Sequence, residues 1–464
     1  MPVPSKSSKT SEPEKPSGDA VETMRAHLAE PSARGIADAV TAALRSGELT
    51  PGELLPPVRQ VARRLQVSPT TVSAAWSLLS RAGAIRTDGR RGTRVAALEH
   101  PGPARYRRAI ETRPEFALDL ATGVPDPALL PDLRPALRSV QTGSGASSYL
   151  EAPVLPELEA QLRATWPGDP ERITVVDGAM DGLDQVIGQF VRPGDRVVVE
   201  DPTFPQILDR LDAAGAVAVP VALDRHGMRP DALADALTGR VRLVILQPRG
   251  HNPTGATLTP ARVRELCRAL ADHDCLVIED DSAGDLSDRP PISLAERLPD
   301  RTVHVRSFSK SHGPDLRLAA VGGPASLIDP IVERRLLGQG WTSRLLQQVL
   351  LELLRDRDAV QAVSDARAEY ARRRRTLVDR LRTEGIDLPD GEGLNLWLPV
   401  ADEPAALVLL ASRGIGAAAG RPFSATADPQ PHLRVTCGLA ATDHESLAAH
   451  LAAAARAPGW SGPR

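Results

Sequence analysis

The stretch Thr302-Val303-His304-Val305-Arg306-Ser307-Phe308-Ser309-Lys310 decides how the rest of the chain is read. Its first five residues are rich in the β-branched class and predict a strand, and Ser307 to Lys310 then form the loop leaving that strand. Sheets of the α/β class bind ligands at this place, just beyond the carboxyl ends of their strands. A lysine there suits Schiff-base chemistry, because burial and positive neighbours lower its pKa and free the amine. The two serine hydroxyls could hold a phosphate, and Arg317, seven residues on, could grip the same group bidentately. Taken alone, the same loop reads far more readily as a solvated surface turn, so its neighbours decide.

Outward from this stretch, short Val/Ile/Leu-rich runs recur at 173–176, 196–199, 216–222, 241–246 and 275–278, with helical stretches such as 260–271 between them. Near-continuous apolar strands separated by helices predict an α/β fold, a mostly parallel sheet covered on both faces. After residue 330 the pattern turns mainly helical, with strands at 394–398 and 433–436, which predicts a smaller α+β subdomain built from both ends of the region. Several of the runs end in groups with chemistry. Asp280 and Asp281 close one, where a carboxylate could pair with a protonated ring nitrogen or simply face solvent. Asn252, in Gly250-His251-Asn252-Pro253-Thr254-Gly255, stands on a turn and could also donate to a ligand oxygen. Gly178, Ala179 and Met180 open a helix whose free N–H groups suit a phosphate. Phe204 could stack on a planar ring or be plain core. Arg434 could clamp a carboxylate or lie at the surface. No histidine stands near enough in sequence to Asp280 to suggest a metal site.

The chain has 464 residues, 42% of them hydrophobic and 25% charged, which predicts a folded protein of more than one domain. Fifty-six basic residues against 59 acidic give a net charge of −3, so nucleic-acid binding, if present, must be local. Three scattered cysteines and the lack of a long apolar run point to a reducing compartment, the cytoplasm, with no membrane span. Residues 1–30 read as a disordered tail and helix lead-in, 31–97 as a small domain, 98–116 as a Pro- and Arg-rich linker and 117–464 as the α/β domain. Residues 31–97 carry ten arginines against four acids, a formal +6, which leaves −9 for the remainder. Three helices are predicted there, the third capped by Ser68 with Pro69 at its first position, followed by a two-stranded wing around Asp88 to Gly92.

In order and spacing, the set in the larger domain resembles the fold-type I pyridoxal-phosphate enzymes of the aspartate aminotransferase family. The resemblance makes Lys310 the Schiff-base lysine, Asp280 the partner of the pyridine nitrogen, Asn252 a donor to the ring oxygen and Phe204 the stacking residue. It puts Ala179, Met180, Ser307, Ser309 and Arg317 around the phosphate, Arg434 and Gly123 on the substrate or effector side, and Tyr149 on the phosphate of a second subunit, which implies a homodimer. The small domain resembles a GntR-type winged helix, which implies that Arg59, Ser68, Thr70, Thr71 and Ser73, with Arg90, Arg91 and Gly92 in the wing, face double-stranded DNA. Together the two match the MocR-type regulators, which implies an operator as one partner and an amine, an amino acid or pyridoxal phosphate itself as the signal. The alternative is an aminotransferase with an appended winged helix. Two departures stand out: Pro69 replaces an Arg usual in the recognition helix, and Ser282 replaces a Tyr that donates to the ring oxygen, which lowers the turnover expected.

Overall fold

The structure, a computed structural model, describes residues 20–46, 48–50, 52–81, 85–87, 92–95, 104–110, 116–140, 148 and 151–458. It divides into two compact units, Met1–Pro101 and Gly102–Arg464.

In the N-terminal unit, Ser32 caps the helix Ala33–Arg45 by accepting from the Gly35 N–H, and the helices Val58–Leu65 and Pro69–Arg81 follow. Their apolar faces, Ile36, Val40, Val61, Leu65, Val72, Trp76 and Leu79, close on one core. The helix Ala20–Ala26 adds Val21 and Met24 to that core, so part of the sequence read as a lead-in is structural. The wing differs from expectation: Leu54–Leu55 joins Ile85–Thr87 and Thr93–Val95, giving three strands with Thr93–Val95 in the middle. Leu54 and Leu55 were too short a run to register as a strand; pairing with Arg94 and Thr93 makes them one.

The C-terminal unit is built on an eight-stranded sheet. In spatial order its strands are Arg172–Val176, Ala319–Gly323, Thr302–Ser307, Leu276–Asp281, Leu243–Leu246, Arg196–Asp201, Val217–Asp224 and Gly227–Met228. Neighbours run parallel except at Ala319–Gly323 and at the edge strand Gly227–Met228. Both faces are buried, as the continuous apolar runs require. Val197 and Val199 pack against the helices Ala179–Phe190 and Pro205–Ala213, while Val198 between them faces the opposite layer with Val244 and Leu266. A smaller three-stranded sheet, Leu396–Pro399, His432–Val435 and Ala418–Ala419, packs with the helices Arg357–Thr383 and His444–Ala455. Leu118–Asp119 pairs with Ile415–Gly416, so both ends of the region do meet in this subdomain.

The stretch expected to be linker departs from expectation. Residues Ala104–Ile110 form a helix, with Ala109 buried against Ala121, Ala418 and Phe423. Its composition is polar enough to read as solvated, and only the surface it meets shows which side is covered. Among the described residues no helix is long and apolar enough to cross a membrane, and no cluster of three His, Cys, Asp or Glu side chains is placed to hold a metal ion.

Candidate functional site

Strand register brings the scattered groups to one edge. Asp281 stands opposite Arg306, Ser307 opposite Ala319, and Ala319 opposite Val176. Asp280, the loop from Ser307 to Lys310, Arg317 and the helix start after Gly178 therefore share the carboxyl end of the sheet. Phe204 and Asn252 follow the strands Arg196–Asp201 and Leu243–Leu246 to the same edge.

At the helix start, Gly178 has φ +98°, and a Cβ there would lie 3.1 Å from Arg317 Nη2. That guanidinium donates to the Asp177 carbonyl at 3.2 Å and is otherwise exposed. The helix Ala179–Phe190 has no side-chain cap, so its first N–H groups point out beside Arg317, an arrangement suited to an anion. Ser307 Oγ accepts from the Ser309 N–H at 3.3 Å. From behind, buried Arg335 holds the turn through Asp177 (3.2 Å), Asp181 and Thr342 (2.9 Å).

The two adjacent carboxylates differ in their surroundings. Asp281 is paired with the buried guanidinium of Arg249, Nε to Oδ1 at 3.2 Å, and lies 3.5 Å from His304 Nε2. These partners overcome burial and hold its carboxyl well below the usual range. Asp280 is 3% exposed, and its Oδ1 is buried with no hydrogen-bond partner. Burial raises its pKa to about 6, opposed in part by Lys310 and Ser282. His304 lies between Glu279 (Nδ1 to Oε2, 2.8 Å) and Asp281, which together raise its pKa to about 9 despite burial.

Lys310 is pushed below the ordinary amine pKa, chiefly by burial and secondarily by the charge of Arg434, while Asp280 pulls it back up. Asn252 is buried, and its Oδ1 accepts from Asn395 Nδ2 at 3.3 Å, so its own amide N–H groups are the ones left to address a ligand. Asn395 Oδ1 accepts from Thr436 Oγ1 (3.3 Å), which accepts from the Gly123 N–H (3.0 Å). Gly123 has φ +69°, and a Cβ on it would sit 2.8 Å from Arg434 Nη1, so the loop closes on that guanidinium only as glycine. Arg434 is 1% exposed, donates to the Ala121 carbonyl and lies 5.1 Å over the Phe423 ring. Phe204 is half-buried, with Tyr106 edge-on at 5.5 Å.

In the N-terminal unit, Ser68 Oγ accepts from the Thr71 N–H at 3.0 Å and meets the hydroxyls of Thr70 and Thr71 at 2.6 and 2.7 Å. Thr70, Ser73, Ala74 and Ser77 are exposed on the side of the helix opposite Val72, Ala75, Trp76 and Leu79. Arg59 and Arg63 are exposed and make no ion pair among the described residues, whereas Arg64 pairs with Glu22 and Arg94 with the Gly52 carbonyl. Gly92 takes φ +90° at the start of its wing strand. Arg90, Arg91 and Tyr149 lie outside the described residues.

Comparison with known proteins follows the same division. Residues 32–95 match the bacterial regulatory proteins of the gntR family, and residues 117–453 match aminotransferase class I and II. The vitamin B6 salvage pathway transcriptional repressor PtsJ of Salmonella typhimurium is 35% identical over 432 residues, 90% of this chain and 98% of that protein. This chain belongs to the MocR-type regulators. Another relative, the pyridoxine biosynthesis transcriptional regulator PdxR of Corynebacterium glutamicum, is 28% identical over 80% of this chain and 84% of its own. In fold, the larger unit of this MocR-type protein is similar to LysN, the α-aminoadipate aminotransferase of Thermus thermophilus. The TM-score is 0.68 at 21% identity, covering 76% of this chain and 96% of that one.

Several residues of the MocR-type site carried no sequence signal. Arg249 and His304 distinguish Asp281 from Asp280 only through contacts across strands. Asn395 and Thr436 link the Asn252 turn to Gly123, but a lone Asn and a lone Thr near late strands look like any others.

Proposed function

We propose that this protein is a transcription regulator that holds pyridoxal phosphate in its C-terminal unit and reads a double-stranded DNA operator through its N-terminal unit. The observation that carries the cofactor reading is Asp280. A buried carboxylate oxygen without a partner costs about 1–3 kcal/mol, and a protonated ring nitrogen would satisfy it. Asp281, spent on Arg249, is not available for that role. The remaining residues fit the same ligand. Lys310, with its lowered pKa, is the amine that attaches it, and Asn252 donates to the ring oxygen. Phe204 lies against the ring, and Ala179, Met180, Ser307, Ser309 and Arg317 receive the phosphate. When bound, pyridoxal phosphate supplies an aldehyde that reacts with amines and a ring that draws electrons.

Arg434 and Gly123 form the effector side, and a guanidinium buried there favours a carboxylate-bearing amine, an amino acid. Pyridoxal phosphate itself is the other candidate signal, in keeping with the vitamin B6 roles named for two relatives. Tyr149 of a second copy would complete the phosphate site, making the working form a homodimer, and the cytoplasm is where such a regulator meets DNA. Arg59, Ser68, Thr70, Thr71 and Ser73, with wing residues Arg90, Arg91 and Gly92, contact the operator.

The test compares wild type with Lys310→Ala after incubation with pyridoxal phosphate and removal of the excess, reading visible absorption and affinity for the promoter of its own gene. A visible band in wild type that the variant lacks, with a preference for the promoter over unrelated DNA, is the expected result. A wild type that holds no cofactor, or prefers no promoter fragment, overturns the proposal. Steady conversion of an amino acid and a keto acid with no effect on DNA affinity would replace it with an aminotransferase.

A further inference from the structure

We infer that the helix Ala104–Ile110 is a wall of the effector site and that Tyr106 is a positioning residue for the ring of Phe204. Tyr106 meets that ring edge-on, with centroids 5.5 Å apart and planes at 67°. Asp209 holds the helix in place: its carboxylate accepts from the backbone N–H groups of Arg105 (3.1 Å) and Tyr106 (3.2 Å) and from the Arg105 side chain (3.4 Å). Asp212 also pairs with the Arg105 guanidinium. Toward the other end, Ala109 is 1% exposed in a cluster with Ala121, Ala418 and Phe423. Ala121 gives its carbonyl to Arg434, and Phe423 lies under the same guanidinium. This short helix therefore touches both the ring proposed to lie against the cofactor and the aromatic beneath the carboxylate clamp.

A solvated spacer would need none of these contacts, and their placement gives the helix a role. The inference rests on the cofactor and effector reading above and adds how occupancy of that site reaches the chain leading to the DNA-binding unit. Only eight residues of sequence separate Val95, at the end of the wing strand, from Ala104. A ligand that binds more tightly when this helix is docked shifts the anchoring of that segment by its differential affinity, and no further device is required.

The experiment uses the full-length protein reconstituted with pyridoxal phosphate, as wild type, Tyr106→Phe, Tyr106→Ala and Arg105→Ala. Cofactor affinity, the visible circular dichroism of the bound cofactor and operator affinity with and without cofactor are measured. Tyr106→Phe keeps an edge-on ring and retains the wild-type values. Tyr106→Ala loses roughly threefold to tenfold in cofactor affinity, alters the dichroic band, and brings operator affinities with and without cofactor together. Arg105→Ala shows the same signature more weakly, and it carries the test if Tyr106→Ala does not fold. Wild-type affinity, dichroism and operator response in both alanine variants would sink the inference while leaving the cofactor reading intact. A wild type with no visible band would instead fail the cofactor reading, and the inference would fall with it.

Discussion

At the scale of single residues, the adjacent pair Asp280 and Asp281 shows how environment divides identical side chains. Both are buried in one strand, yet one is locked to Arg249 and the other has an unpartnered oxygen. Asp280→Asn is expected to fold with near wild-type stability and to lose the visible signature of bound cofactor. Asp281→Asn leaves a buried guanidinium uncompensated and is expected to lose about 3–5 kcal/mol in denaturant titration. His304 adds a pH dependence. Its pKa rises in the fold from 6.5 to about 9, so its contribution is complete below about 6.5 and is lost as pH rises through about 9. Chemical denaturation of the cofactor-free protein should show stability falling by on the order of 2 kcal/mol between pH 7 and 10, a fall that His304→Gln abolishes. From sequence, Asp280 could be preferred over Asp281 only by resemblance, because what separates them is a guanidinium from the loop that follows another strand.

At the scale of elements, the strands of the large sheet were legible because burial on both faces writes itself as unbroken apolar runs. The helix Ala104–Ile110 was not: among its described side chains Arg105 and Tyr106 are half-covered, Arg107 is exposed and Ala109 alone is buried, which leaves no apolar stripe to read. The recognition helix lies between these cases: Ser68 announces its start, and the structure shows that hydroxyl accepting from the Thr71 N–H. Ser68→Ala is expected to cost the N-terminal unit about 1 kcal/mol, seen as a lower melting transition, and to weaken operator binding at the same time. A variant with unchanged melting and unchanged operator affinity would mean that the cap contributes nothing.

At the scale of the whole molecule, charge is unevenly divided, +6 in residues 31–97 and −9 elsewhere. An acidic body beside a basic reading module limits binding to the module and leaves affinity dependent on the few phosphates it neutralises. Operator affinity measured against salt should fall with a log–log slope of about −4 to −6 per bound module. A slope near zero would remove the arginines of residues 31–97 from the DNA interface.

By itself, the sequence determined the two units, the mostly parallel sheet and the set of residues at its strand ends. Apolar periodicity, caps and turn residues are local, and they act wherever the chain goes. Only the tertiary structure decided which carboxylate is spent and which is open, that Asn395 and Thr436 join the Asn252 turn to Gly123, and that a helix at Ala104–Ile110 sets Tyr106 against Phe204. Each of those outcomes depends on a partner tens or hundreds of residues away, brought into hydrogen-bond or van der Waals range by packing, and no local pattern encodes the partner.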